Sequence, residues 1–303
     1  MTLDPRLQSP DIVTLRVPLA LRTRDVSDLS LVRDELLITA TETGPAHRSL
    51  VLTSTPSGTW TASRVPGLSP EESVHPSHWP AVARPFELRV RDPRNRYLTS
   101  RLVASLPAEA PIAWPNFDAL PPDISPALLP AGSPPGSRPD FVPLFPAVAG
   151  VAPGARAQVL AHLAIVRGGE PAGPASFAVM TVSIGGQVKG VGVADGQGGI
   201  LVSFPYPLLP APTPAERAAG TTRFEWNVGL AVYCGQLPTR ADGAPPLLTD
   251  ILAQLNRAPS RVLERLESPD PLPELTLRVG QALVARSARA APAQPSSLFI
   301  LPA

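Results

Sequence analysis

Alternating hydrophobic and polar residues dominate the chain, and this period of two predicts a protein built mainly from β-strands. In segment 12–25 every second residue is hydrophobic, from Val13 to Leu21. The same pattern recurs, with turn residues between, in segments 35–43, 48–55, 59–62, 85–92 and 97–106. This pattern predicts roughly six short strands in about a hundred residues, and strands with that spacing are typical of a β-sandwich.

A second block of strands is predicted around the stretch Phe177–Pro207. The pattern of this stretch predicts three strands separated by two turns. Gly185-Gly186 marks the first turn and the sequence DGQGG, from Asp195 to Gly199, marks the second. Glycine is favoured where a turn needs a positive φ, and Asp-Gly is a common hairpin dipeptide. We therefore expect a hairpin at each turn.

The segment 221–235 has the most regular alternation, which places Phe224, Trp226, Val228, Leu230, Val232 and Cys234 on one face. This stripe predicts one long strand, bent near Gly229, whose apolar face supplies much of a core. Segment 158–167 is apolar on both faces, which predicts a central or doubly covered strand. Shorter strands are expected at 275–279, 283–286 and 296–301.

Helical spacing occurs in one region, about 247–267. Leu248, Ile251, Leu252 and Leu255 share one helical face. Pro259 interrupts the pattern, and 260–267 continues it as a second helical segment. The fold class predicted is therefore mainly β, with two β-sandwich domains and one short helical segment in the second domain.

Residues 107–154 are rich in proline and have no periodicity, which is typical of a linker or an extended arm. The predicted organisation is an N-terminal sandwich at 1–107, a Pro-rich arm at 108–154 and a C-terminal sandwich with a helical insertion at 155–303. Large apolar residues recur along the arm, and we expect them to hold it against a protein surface. Four of them are candidate contacts for a partner protein: Trp114, Phe117, Phe141 and Phe145.

The charge and amino-acid composition of the chain limit the functions that we expect of it. The 303 residues carry a formal net charge of +1, so we expect neither a nucleic-acid partner nor binding to an anionic membrane. No apolar run reaches the ~18 residues of a membrane-spanning helix. The first residues lack a signal-peptide pattern, and the single cysteine allows no internal disulfide. These features predict that the protein is synthesised in a cytoplasm. If it belongs to a particle, we expect the particle to be released when the cell lyses.

Few residues suggest chemistry, and no catalytic residue, cofactor or metal ligand is assigned. His75 and His78 lie three apart, a spacing that can share a metal on a helical turn, but Pro76 favours a loop with two exposed histidines. Both readings stay open. Cys234 ends an apolar stripe, which favours a core residue over a nucleophile. His162, inside an apolar strand, is expected to be a core or interface histidine.

Several of these segments resemble a known group of proteins. The run VKGVGVADGQGGILVSFPYP, at 188–207, resembles carboxypeptidase-regulatory-like (transthyretin-like) β-sandwich modules. The layout also resembles proteins encoded with bacterial contractile, phage-tail-like injection systems, through the pieces Phe86–Leu98, Leu144–Ala147 and Leu201–Pro207. The long proline arm and the helical region depart from that pattern.

The resemblance implies a non-enzymatic structural or adaptor component of such a particle, acting through protein–protein contacts. Two other classes stay open. A carbohydrate- or cell-surface-binding sandwich would need exposed aromatic side chains, for which Trp60 and Trp79 are candidates. A hydrolase would need an acid–histidine cluster in a deep pocket. The sequence does not determine the oligomeric state or the partner.

Overall fold

A computed structural model gives the fold of most of the chain. The residues it describes are 17–44, 48–62, 65, 84–106, 121–129, 141–150, 156–208, 224–237, 243–266, 268–288 and 297–302. Within them the protein is mainly β, as the alternation predicts, and the strands form several sheets.

Eight strands make up the first half of the fold: β1 Leu19–Asp25, β2 Leu37–Glu42, β3 Ser49–Val51, β4 Thr53–Ser54, β5 Thr59–Ala62, β6 Arg84–Arg91, β7 Ser100–Leu106 and β8 Val142–Leu144. They form two four-stranded sheets, with orders β4-β5-β1-β8 and β3-β2-β6-β7. Leu21 and Trp60 from one sheet share a core with Ile38 and Leu88 from the other. The expected sandwich in this half is confirmed.

The second half contains β9 Arg156–Arg167, β10 Glu170–Pro174, β11 Val179–Ile184, β12 Gln187–Val193, β13 Gly199–Pro205, β14 Glu225–Tyr233, β15 Arg261–Arg265, β16 Ser268–Pro271, β17 Leu275–Arg278, β18 Leu283–Val284 and β19 Leu298–Leu301. One sheet has the order β12-β11-β14-β17, and a seven-stranded sheet is built around β9. Residues of both sheets, such as Val202 and Val228, share a second core. The division at 107 and 155 itself stays a prediction.

The two glycine turns of the 177–207 stretch differ in what they join. Gly185 and Gly186 connect β11 to β12 as a tight antiparallel hairpin, with φ of 58° and 77°. The glycine pattern predicts a hairpin at the second turn as well, but that turn carries the chain from one sheet to the other, because β13 pairs with β9. Asp195 closes it by accepting hydrogen bonds from the amides of Gln197 and Gly199, at 2.8 and 2.9 Å.

The helical region is shorter than its spacing predicts. Helix α1 spans Leu248–Ala253, a 3-10 turn follows at Gln254–Asn256, and Arg261–Arg265 is strand β15. The second predicted helical segment is therefore wrong. Antiparallel pairing of β15 with β19 and β16 overrides its local helical spacing. Across the described ranges, no helix is both long and apolar enough to cross a membrane.

Part of the proline-rich arm is integrated into the fold. Strand β8 runs parallel to β1 at the edge of its sheet. Pro143 is tolerated there because an edge strand can leave one side without hydrogen-bond donors. The amide of Leu98 also donates to the carbonyl of Phe145, at 2.9 Å, and Ile124 and Leu128 are buried in the first core.

The two halves meet through a shared hydrophobic core. The core of the first sandwich continues into Phe177 and Val193 of the second half and into Leu248 and Ile251 of α1. Arg101, only 2% exposed, lies at this junction. Its guanidinium binds the Glu87 carboxylate and donates to the carbonyl of Pro245. An apolar contact and a buried ion pair therefore fix the halves against each other.

Gln254 anchors the helical region to the second sandwich. Its side-chain amide donates to the carbonyls of Phe177 and Ile251, at 2.8 and 2.9 Å, and its carbonyl accepts from the amide of Gly235. Phe177 has a φ of 58°, a conformation that costs free energy for a bulky residue. The hydrogen bond to its carbonyl helps to hold this residue in place.

Candidate functional site

The four predicted partner contacts divide into two pairs. Trp114 and Phe117 lie outside the described residues. Phe141 and Phe145 are buried, and Phe145 belongs to the core of the first sandwich. The ring of Phe141 lies 5.5 Å from the guanidinium carbon of Arg24. The chain itself thus supplies the contacts of these two rings.

The residues considered for chemistry are dispersed. His75 and His78 lie outside the described residues. His162 is on the exposed face of β9, where Nδ1 is 3.2 Å from Ser297 Oγ, so the expectation of a core position is wrong. Burial raises the pKa of the Cys234 thiol, which disfavours the thiolate. Among the described residues, no group of three or more histidine, cysteine or acidic side chains could hold a metal.

Trp60, one of the two candidate aromatics for binding sugar, lies in the core. Its indole Nε1 donates to Thr23 Oγ1 at 3.2 Å, and the ring is buried between the sheets. Trp60 therefore offers no exposed surface for a sugar to stack on. Trp79, the other candidate, is outside the described part of the chain.

The outer face of sheet β3-β2-β6-β7 is the surface most suited to a protein partner, and we call it the open face. Cross-strand register puts Val51, Thr39, Arg89 and Arg101 in one row, with Leu37 and Arg91 in the next. Val51 is 60% exposed and Leu37 is 40% exposed. Exposed apolar side chains set among polar neighbours are typical of binding surfaces.

The charge of the open face is positive. Arg89 and Arg91 point away from the core on alternate positions of β6, and neither side chain forms an ion pair or hydrogen bond with another described residue. Glu87, the acidic residue on the same strand face, is already bound to Arg101. Both guanidinium groups can therefore bind carboxylates of a partner.

One end of the open face is covered and the other is accessible. Helix α1 packs near β7 and the carbonyl of Pro245 contacts Arg101, which buries that end. At the opposite end, β3 is the outermost strand of its sheet. An edge strand keeps one row of backbone groups unpaired and can add a strand from a partner.

A polar cleft between the two halves is the second feature of interest. It joins residues remote in sequence through ion pairs. Arg156 of β9 lies 3.3 Å from the Asp25 carboxylate and also binds Asp28, and the Tyr97 hydroxyl lies 3.2 Å from the same Asp25 oxygen. Sequence spacing could not reveal this cleft, because its partners are up to 131 positions apart.

The protonation states of Tyr97, which lines the cleft, and of Asp92, which binds the lining residue Arg96, follow from burial and hydrogen bonding. Burial raises the pKa of Tyr97, and the neighbouring Asp25 carboxylate raises it further, so the phenol stays neutral. Burial alone would raise the pKa of Asp92, but hydrogen bonds from the Arg96 side chain and from the backbone amides of Arg94 and Arg96 hold it below its ordinary value. Asp92 is therefore ionised and orders the 92–96 turn.

Replacing Asp92 with asparagine is expected to lower the free energy of unfolding by about 2 kcal/mol at pH 7, since hydrogen bonds to a charged group are lost. A lowered pKa in the folded state stabilises the protein above the unfolded value of about 4. That stability is lost as pH falls through the lower folded pKa. Urea unfolding at several pH values should show that, as the pH falls below about 4, the variant loses less of its free energy of unfolding than the wild type does.

Comparisons with known proteins give little further information. No family model matches the chain. No curated protein matches it. Among solved structures, it is similar to the crystal structure of GBS52, the minor pilin in the gram-positive pathogen Streptococcus agalactiae, with 6% sequence identity. That similarity covers 94% of this chain and 97% of the pilin chain, with a TM-score of 0.22, which is too low to carry an argument.

Proposed function

We propose that this protein is a non-enzymatic structural adaptor of a bacterial contractile, phage-tail-like particle, and that it acts through protein–protein contacts. The observation that carries the adaptor role is the open face, with Arg89 and Arg91 beside exposed Leu37 and Val51. Arginine and apolar side chains together are typical of the centres of protein interfaces.

The junction between the halves supports the same role. An adaptor must hold two binding surfaces in a defined relation, and a shared core together with a buried Arg101–Glu87 pair does so. The integrated part of the arm adds further contacts through β8. The partner expected at the open face is an acidic segment with apolar side chains, because it faces two exposed arginines.

The assignment to a contractile particle has a separate basis, which is the resemblance of 86–98, 144–147 and 201–207 to proteins of such systems. In this proposal the chain is made in the cytoplasm and leaves the cell with the particle on lysis. Its docking and its membership in the particle can therefore be tested independently.

Charge reversal tests the open face. We expect the variant R89E/R91E to lose at least about tenfold in affinity for particle proteins, since each interfacial charge pair contributes on the order of 1 kcal/mol or more. Binding can be measured by co-sedimentation with particles at low and moderate salt. Both side chains are exposed, so thermal stability should change little.

A matched control is Arg261→Glu, which reverses an exposed arginine on β15 in the other half. This control should bind as the wild type does. If R89E/R91E also binds normally while remaining folded, the open face is not the docking surface and the proposal for this site fails.

A further inference from the structure

The polar cleft has the size and composition of a binding site. Its volume is about 330 Å³, at the lower end of the range for small-molecule sites. Its polar wall comes from both halves of the fold, with Asp25, Ser27 and Tyr97 on one side and Arg156 and Ser203 on the other. A ligand there would bridge the two sandwiches.

Two serines that line this cleft have buried hydroxyl groups with no partner among the described residues. Ser27 is 3% exposed and Ser203 is 5% exposed, and neither Oγ atom forms a hydrogen bond with that part of the protein. Both residues line the cleft. A buried hydroxyl without a partner is costly, so such groups in a cavity are typical of sites that bind a polar molecule.

The charges of the cleft decide the kind of ligand. Its three arginines all have carboxylate partners: Arg94 binds Glu35, Arg96 binds Asp92 and Asp34, and Arg156 binds Asp25 and Asp28. Each guanidinium group that lines the cleft is therefore compensated by at least one carboxylate, and Asp25 is the carboxylate that lines the cleft with them. Because these charges are already paired, a neutral ligand can bind without breaking an ion pair, by hydrogen bonding to both the carboxylate and the guanidinium group of a pair.

We propose that the cleft binds a small neutral polyol, such as a single sugar ring. The Asp25 carboxylate accepts from ligand hydroxyls and the Arg156 guanidinium donates to them, while Ser27 and Ser203 can do either. Pro146 and Leu201 add apolar surface to the lining, suited to the C–H face of a ring. This site is separate from the open face and does not depend on it.

Saturation-transfer NMR with the full-length protein tests the inference directly. The probes are glucose, galactose, mannose, N-acetylglucosamine and myo-inositol. We expect at least one to bind with millimolar or tighter affinity. Ser27→Ala and Ser203→Ala should each weaken binding about 5–10-fold, the effect of one hydrogen bond. Ser105→Ala, on the exposed side of β7, is the control and should bind normally.

Thermal melting of the free protein provides an independent readout. Removing an unpartnered buried hydroxyl should leave Tm unchanged or raise it by about 2 °C. A fall in Tm for both serine variants would mean that the hydroxyls have a structural role, which overturns the inference. So would the absence of binding by every probe, or binding that both serine variants retain.

Discussion

Replacing Arg101 with methionine is expected to lower the free energy of unfolding by about 3 kcal/mol, because it leaves a charge without its partner at the junction of the two halves. Arg101 is nearly fully buried, and its guanidinium makes two hydrogen bonds with Glu87 and one with Pro245. The Glu87 side chain is 30% exposed, so water compensates part of the loss. Urea denaturation measures the effect.

A double-mutant cycle separates the lost pair from the lost packing. Adding Glu87→Gln to Arg101→Met removes the unpaired charge, so the double variant should recover part of the stability. Arg89→Met is the matched control, since Arg89 lies opposite Arg101 in the register but is exposed. It should change stability by no more than about 0.5 kcal/mol. Equal effects of the two methionine variants would contradict the buried pair.

Substitution of Gly198 by alanine should destabilise the second sandwich by more than about 3 kcal/mol, because backbone strain and a steric clash act together. Gly198 has a φ of 83°, and a Cβ atom there would lie 2.4 Å from the carbonyl oxygen of Leu163. The backbone cannot move away easily, since the carbonyl of Gly198 accepts a hydrogen bond from the Leu163 amide, at 2.8 Å.

Gly186→Ala is the control that isolates the clash. Gly186 has a similar φ of 77°, but a Cβ atom there would meet no other atom within 4 Å, so only the strain remains, about 1 kcal/mol. Thermal or urea unfolding of both variants gives the comparison. If the two alanine variants are equally stable, the turn does not pack against β9 as described.

Much of the fold could be predicted because alternation reports directly on which face of a strand is buried. Segments 35–43 and 85–92 contain β2 and most of β6, and Trp226, Val228 and Val232 of β14 are buried as the stripe predicts. Phe224 is 44% exposed because it lies just before the strand begins. Local patterning is sufficient where a strand has one face in the core.

The sequence pattern predicts the wrong local structure where pairing with a distant strand determines the conformation. Strand β8 contains Pro143 and pairs in parallel with β1, about 120 residues earlier, so nothing in its own sequence indicates a strand. The pattern of segment 48–55 predicts one strand, but the segment divides at Leu52 into β3 and β4, which belong to different sheets. Where a chain passes from one sheet to another depends on how the two sheets pack, which the local sequence does not show.

The candidate site is only partly visible in the sequence. Arg89 and Arg91 occupy the polar positions of an alternating strand, so their exposure follows from the pattern. That Glu87 does not neutralise them depends on its ion pair with Arg101, which is a tertiary contact. The polar cleft forms only when β1, β9 and the 92–97 turn come together, and no spacing in the sequence encodes it.

Sedimentation is the most direct test of whether the protein is a structural component of a contractile particle. Particles are purified from the producing bacterium with the chain carrying an epitope tag at its natural level. We expect the chain to sediment with intact particles in a fixed ratio to their other proteins and to stay bound through a density gradient. A chain found only as a soluble monomer, absent from the particle fraction, would contradict it.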